Sequence, residues 1–115
     1  FRVEVSIPVR FQARRTVHAQ MASTHAVTPN SLYLKTNLGI PPETDLRVVL
    51  EVPNAHQIEV DARAVGSEKD PADNRKHISE VQLEEVSEKD REDILKYAVY
   101  FERRAKRAES RGVTT

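Results

Sequence analysis

At 115 residues and 13.1 kDa the chain has the length of one domain. With 38% hydrophobic residues, three Phe, three Tyr and no Trp, it builds a modest, mostly aliphatic core rather than a large apolar pocket for a bulky cofactor. Eighteen Lys plus Arg balance eighteen Asp plus Glu, which removes bulk charge as a drive toward nucleic acid or anionic membrane, so any anion site must be local. The absence of cysteine excludes disulfides, thiolate metal clusters and cysteine nucleophiles and suits a reducing, cytoplasmic setting. No apolar run spans a bilayer and no signal segment opens the chain, so membrane insertion is not expected.

Val3, Val5, Ile7, Val9 and Phe11 alternate with Arg2, Glu4, Ser6 and Arg10, a two-residue period that predicts a half-buried strand, with Pro8 marking a sheet edge or bulge. After an Ala13-Arg14-Arg15 turn, Val17, Ala19 and Met21 are expected on the inner face of its hairpin partner. A Pro29-Asn30-Ser31 turn leads into a short strand over Leu32–Thr36, and Gly39, Pro41 and Pro42 break the chain. Leu46, Val48, Leu50 and Val52, then a Pro53-Asn54 turn, then Ile58, Val60, Ala62 and Ala64 predict an antiparallel pair ending near Gly66. The polar stretch Ser67–His77 is expected to be a solvated loop, followed by a sixth, weaker strand over Ile78–Val86 with Val81 and Leu83 inward.

At Ser87 the period changes. Ser87 with Asp90 resembles a capping box, Glu88, Asp90, Glu92 and Asp93 crowd the first turns, and Ile94, Tyr97, Ala98, Phe101, Ala105 and Ala108 form one helical stripe. A helix over about residues 88–110, stopped by Gly112, is predicted. The fold class is therefore mainly β: a single domain over residues 1–115, with a six-stranded antiparallel barrel at about 2–86 and a C-terminal α-helix plugging or flanking it.

Chemistry is sparse. His18, His25, His56 and His77 never recur at a spacing that aims two rings at one metal, and no nucleophile elbow or phosphate-cradling glycine loop is present, so neither a metal site nor catalysis is expected. The cations Arg103, Arg104, Lys106 and Arg107 complement a helix C-terminus and are interrupted by Glu102 and Glu109; Arg10, Arg14 and Arg15 sit where a strand enters a turn. Both clusters read as solvated surface and not as a nucleic-acid grip.

The order of elements and several segments resemble the PilZ domain family, in particular its short single-domain members of deltaproteobacterial type. Val3–Phe11 resembles its opening strand, Ser31-Leu32-Tyr33-Leu34-Lys35-Thr36 its Gly-Leu-Phe-Ile-Lys-Thr strand, Pro42–Leu50 the segment through the next strand, and Val81-Gln82-Leu83 with Val86–Arg91 its last strand and helix start. The resemblance covers nearly the whole chain and implies a PilZ-like barrel. Family members typically bind cyclic di-GMP through an Arg-x-x-x-Arg segment before the first strand and an Asp/Asn-x-Ser-x-x-Gly segment some twenty residues on. Arginine forks suit phosphate and the guanine edge, short polar side chains read that edge, and glycine removes a Cβ from the approach.

On this chain Arg2 matches the second arginine, and the first would lie before Phe1. Ala26 stands at the carboxylate or amide position, Thr28 at the Ser and Ser31 at the Gly. A missing base-edge contact costs about 1–3 kcal/mol, and a left-handed Ser31, if the motif needs one, about 1–2 kcal/mol more. That is roughly thirty- to several-thousand-fold in affinity. The resemblance thus implies a non-enzymatic regulatory or adaptor protein of bacterial motility, polarity or cell-surface signalling. It would lack a cofactor, bind cyclic di-GMP too weakly for use, and act through a protein partner. The partner surface would be Tyr100, Arg103, Arg104 and Arg107 of the helix with the outer faces around Thr28–Tyr33. The alternative is a genuine cyclic di-GMP receptor using Arg2 and an upstream arginine.

Overall fold

The computed structural model describes residues 1–51 and 57–113, with residues 108–113 in backbone only. Six strands, β1 (Pro8–Ala13), β2 (Gln20–Val27), β3 (Ser31–Thr36), β4 (Asp45–Leu50), β5 (Ile58–Asp70) and β6 (Asp73–Glu84), precede one helix, α1 (Glu88–Val113). The strands close into an antiparallel barrel in the order β1-β2-β3-β6-β5-β4, with β4 returning to β1. Closure pairs each strand on both sides around the barrel, while beyond Ala64 the β5 arm pairs with β6 alone. Val52, the Pro53-Asn54 turn and His56 fall outside the described residues, as does the Ala108 side chain.

Alternation fills the interior. Val9 and Phe11 from β1, Leu32 and Leu34 from β3, Leu46, Val48 and Leu50 from β4, Ile58, Val60, Ala62 and Ala64 from β5 and Val81 from β6 form one buried cluster. Ile94 and Ala98 of α1 join it, with Tyr97 and Phe101 packed at its margin, so the helix lies against the barrel through the predicted stripe. Ser87 caps α1, its hydroxyl accepting the Asp90 N–H at 3.1 Å.

Four expectations are corrected. The ladder of β1 begins at Pro8, the first residue of the strand, where the missing N–H costs nothing; Val3, Val5 and Ile7 keep their inward alternation but are held by a single bridge, Val3 to Val27, and by Thr24. In β2 the inner face is not Val17, Ala19 and Met21. Val17 is 85% and Met21 62% exposed, because Met21 pairs with outward Arg10 while Ala22 pairs with inward Val9, and register fixes the face. Residues Ser67–His77 are not a loop but the extended arms of the β5–β6 hairpin, joined at Pro71-Ala72. Hydroxyls replace apolar contacts there: Ser79 Oγ lies 2.8 Å from Ser67 Oγ and 3.1 Å from Thr36 Oγ1, and the Ile40 N–H donates to Ser67 Oγ at 2.8 Å. Finally, α1 continues through Gly112 to Val113, since one glycine in a last turn weakens a helix by only about 1 kcal/mol.

Candidate functional site

The turn joining β2 to β3 is closed by its own side chains. Thr28 N–H donates to the Ser31 carbonyl at 3.0 Å, Ser31 N–H donates to Thr28 Oγ1 at 3.0 Å, and the two hydroxyls share a 2.7 Å hydrogen bond. Thr28, which stands at the motif's Ser position, is thus turned onto Ser31, the residue at its Gly position. Ser31 is not left-handed: the described non-glycine residues with positive φ are Glu43 and Glu85. The backbone-strain part of the expected penalty therefore falls away, and tied-up hydroxyls take its place. The turn is also fastened to the helix, because Arg91 Nε donates to the Pro29 carbonyl at 3.1 Å.

Ala26 is fully buried beside a register shift between Thr24 and Ala26, and its β3 partner is Tyr33. The Arg2 guanidinium lies 4.5 Å from the centre of the Tyr33 ring, within cation–π range. A groove of about 590 Å³ opens on the outside of the sheet, lined among others by Arg2, His25, Tyr33, Lys69 and Glu80. The structure therefore places Arg2 at this groove, while Ala26, Thr28 and Ser31 do not line it. From the sequence Tyr33 entered the candidate surfaces only as the end of the Thr28–Tyr33 outer face and His25 only as a histidine without a metal partner, and Lys69 was not singled out. Tyr33 had a signal, since Leu32 and Leu34 point inward and an aromatic between them must face out.

Asp70 closes the far end of this surface. Its carboxyl is held below the usual carboxylate range, first by the Ala72 N–H donated to Oδ1 at 2.9 Å and then by Lys35, whose Nζ is 3.2 Å from Oδ2. Both effects outweigh the opposing pull of burial.

On the helix, Tyr100 is 53% exposed, packs edge-on against Phe101 with ring centres 5.6 Å apart, and carries the Arg104 guanidinium 5.9 Å from its centre. Arg103, Arg104 and Arg107 are exposed, and no described carboxylate forms an ion pair with them. Several arginines on the barrel are neutralised, Arg10 by Glu51 at 2.9 Å, Arg63 by Asp45 at 3.1 Å, and Arg47 near Glu59 and Asp61. The Arg63 guanidinium pKa is raised accordingly, chiefly through its hydrogen bond to Asp45. The helix end thus carries positive charge that no described carboxylate pairs with, as do the exposed Arg14 and Arg15 after β1. Among the described residues, no three His, Asp or Glu side chains converge as metal ligands and no helix is long and apolar enough to cross a membrane.

The barrel order with its C-terminal helix superposes on solved structures. The PilZ domain of CeSA from a cellulose-synthesizing bacterium matches at a TM-score of 0.62 and 13% identity over 89% of this chain and 98% of that one. The fold is that of a PilZ domain. The Bacillus subtilis inhibitor of motility (MotI/DgrA) matches at a TM-score of 0.71 with 17% identity over 86% of this chain. MrkH of K. pneumonia in its apo state matches at 0.72 with 15% identity over 94%. The PilZ-like chain spans about half of these last two, 48% and 52%. No sequence-family model and no curated protein sequence matches it.

Proposed function

We propose that this PilZ-like domain is a non-enzymatic regulatory or adaptor module that does not use cyclic di-GMP and that acts through protein contacts. The observation that carries the reading is the closed turn: Thr28 and Ser31 satisfy each other, and Ala26 offers no oxygen. Opening the Thr28–Ser31 pair for a ligand costs about 0.5–1.5 kcal/mol and the absent base-edge acceptor about 1–3 kcal/mol. Together they weaken binding roughly ten- to two-thousand-fold. A bacterial motility or cell-surface setting is supported by the resemblance and by the names of two fold neighbours, an inhibitor of motility and a protein of a cellulose-synthesizing bacterium.

Isothermal titration of the full-length protein with cyclic di-GMP tests the reading. The expected result is no saturable heat up to about 100 μM ligand; saturation at low micromolar ligand overturns it. One observation favours the receptor alternative, namely Arg2 already stacked on Tyr33 at the rim of a groove. If that alternative holds, Arg2→Ala abolishes the heat. The double variant Ala26→Asp with Ser31→Gly restores an acceptor and frees Thr28, so binding gained by it would show that these two positions together silence an otherwise competent scaffold.

A further inference from the structure

A second cleft runs between the N-terminal segment and the distal half of α1. Its walls include Val5, Phe101 and Ala105, its rim carries Lys35, His25 and Arg104, and it encloses about 600 Å³. Glu4 faces the same cleft, and Lys35 is already engaged by Asp70. Arg104 lies over the Tyr100 ring, and Arg103 and Arg107, also unpaired with any described carboxylate, extend the positive charge along the helix. An apolar floor beneath Arg104, with Arg103 and Arg107 further along the same helix, is complementary to an anionic chain bearing an apolar side chain.

We infer that this cleft docks an acidic peptide segment of a partner protein, with an aliphatic or aromatic residue seated against Phe101 and carboxylates paired to Arg104 and its neighbours. The inference rests on the adaptor reading above and names the chemistry of its partner. The floor separates this occupant from the alternatives. A free dinucleotide would need its base edges met from the cleft floor; Val5, Phe101 and Ala105 present no polar group there, and of the polar lining Thr24 is spent on Val5 and Ile7 and Lys35 on Asp70, which leaves Glu4, Ser6, Ser23, His25 and Arg104. A membrane surface fits a protruding apolar tip, whereas Phe101 is recessed and half-buried. A second copy of the chain would have to offer its acidic stretch Glu88–Asp93, but Lys89 and Arg91 interrupt that stretch and Arg91 already pairs with Glu88 at 2.9 Å.

A random dodecapeptide display library, selected against the full-length protein, tests this. The expected pool is enriched in Asp and Glu flanking a Leu, Phe or Trp. Resynthesised winners should bind Arg104→Glu roughly tenfold more weakly and lose binding to Ala105→Tyr, which fills the cleft from an exposed position and so spares the fold. Arg47→Glu, in the neutralised patch on the barrel, should bind them like the parent. No enrichment, a pool without acidic residues, or winners indifferent to Ala105→Tyr would overturn the inference. So would dimerisation that Ala105→Tyr abolishes, or Arg104-dependent sedimentation with phosphatidylglycerol vesicles and no peptide enrichment. Nucleotide titration reports separately on the adaptor reading, so the two failures are distinguishable.

Discussion

Replacing Thr24 by Val should unfasten the N-terminal segment while leaving the barrel standing. Thr24 is buried, accepts the Ile7 N–H on Oγ1 at 2.9 Å, donates that hydroxyl to the Val5 carbonyl, and gives its own N–H to the Ile7 carbonyl at 3.0 Å. Burying Val3, Val5 and Ile7 contributes about 1.5–3 kcal/mol each, so about 4.5–9 kcal/mol. Ordering residues 3–7 costs about 1–2 kcal/mol each, so about 5–10 kcal/mol. These nearly cancel, which leaves the hydrogen bonds to Thr24 and Val27 to decide whether the segment is docked. Thr24→Val keeps the shape and deletes two side-chain bonds, a loss of about 1–3 kcal/mol. Amide hydrogen exchange at Val3, Ile7 and Val27 should therefore accelerate roughly five- to 150-fold, while Val48 and Val60 in β4 and β5 change by less than about threefold. Thr24→Ser, which retains the hydroxyl, should stay near the parent. A uniform acceleration across the barrel, or none at Ile7, would refute the reasoning.

Ser79→Ala should lower stability by about 1–3 kcal/mol, because Thr36, Ser67 and the Ile40 amide lose a shared buried partner; urea midpoints within 0.3 M of the parent (about 0.3–0.9 kcal/mol at typical slopes) would count against a structural role for that hydroxyl cluster. Asp70 has a depressed carboxyl pKa, so the folded chain binds fewer protons than the unfolded one near pH 4, and the stability it contributes is present above about pH 4 and lost as pH falls through the folded value. Asp70→Asn should flatten that acid limb in denaturation midpoints taken from about pH 6 downward, whereas parallel profiles would exclude Asp70 as its source. Ser87→Ala should cost about 0.5–2 kcal/mol through the lost cap, visible as a lowered thermal midpoint, and an unchanged midpoint would show that Asp90 finds another acceptor.

Legibility in the sequence followed the presence of one apolar and one polar face. Val3–Phe11, Leu32–Leu34 and Leu46–Leu50 alternate cleanly, and each places its odd or even set in the core. The loop before β2 carries Val17 and the start of β2 carries Met21, as apolar as Ala22 and Ala26, so composition could not tell which set faces inward; pairing of Met21 with Arg10 decided it from another strand. The β5–β6 arms were missed because their buried member is Asp70 and their inward hydroxyl is Ser67, polar groups satisfied by Lys35 and Ser79 only once the strands have met. Of the candidate site, Arg2 was visible from motif spacing. The mutual bonding of Thr28 and Ser31 was not, since nothing in Thr-Pro-Asn-Ser states that its hydroxyls point at each other.

The same fastening bears on what a ligand could accomplish. A ligand shifts an equilibrium only by its differential affinity for the two states. Here the segment bearing Arg2 is docked by reciprocal bonds between Val3 and Val27 and by three bonds through Thr24, and Arg2 rests on Tyr33. Those bonds come from the chain itself, so a ligand at the groove would add to the docking only what it contributes beyond them. Under the proposed adaptor role, Thr24 supplies from within the chain the ordering that a ligand would otherwise have to supply. The cleft formed by Val5 and Phe101 then exists in the resting protein, its availability set by the partner's concentration. Thr24→Val, by loosening Val5, should therefore weaken peptide capture as well as amide protection, linking the docking cleft to the clamp through a single hydroxyl.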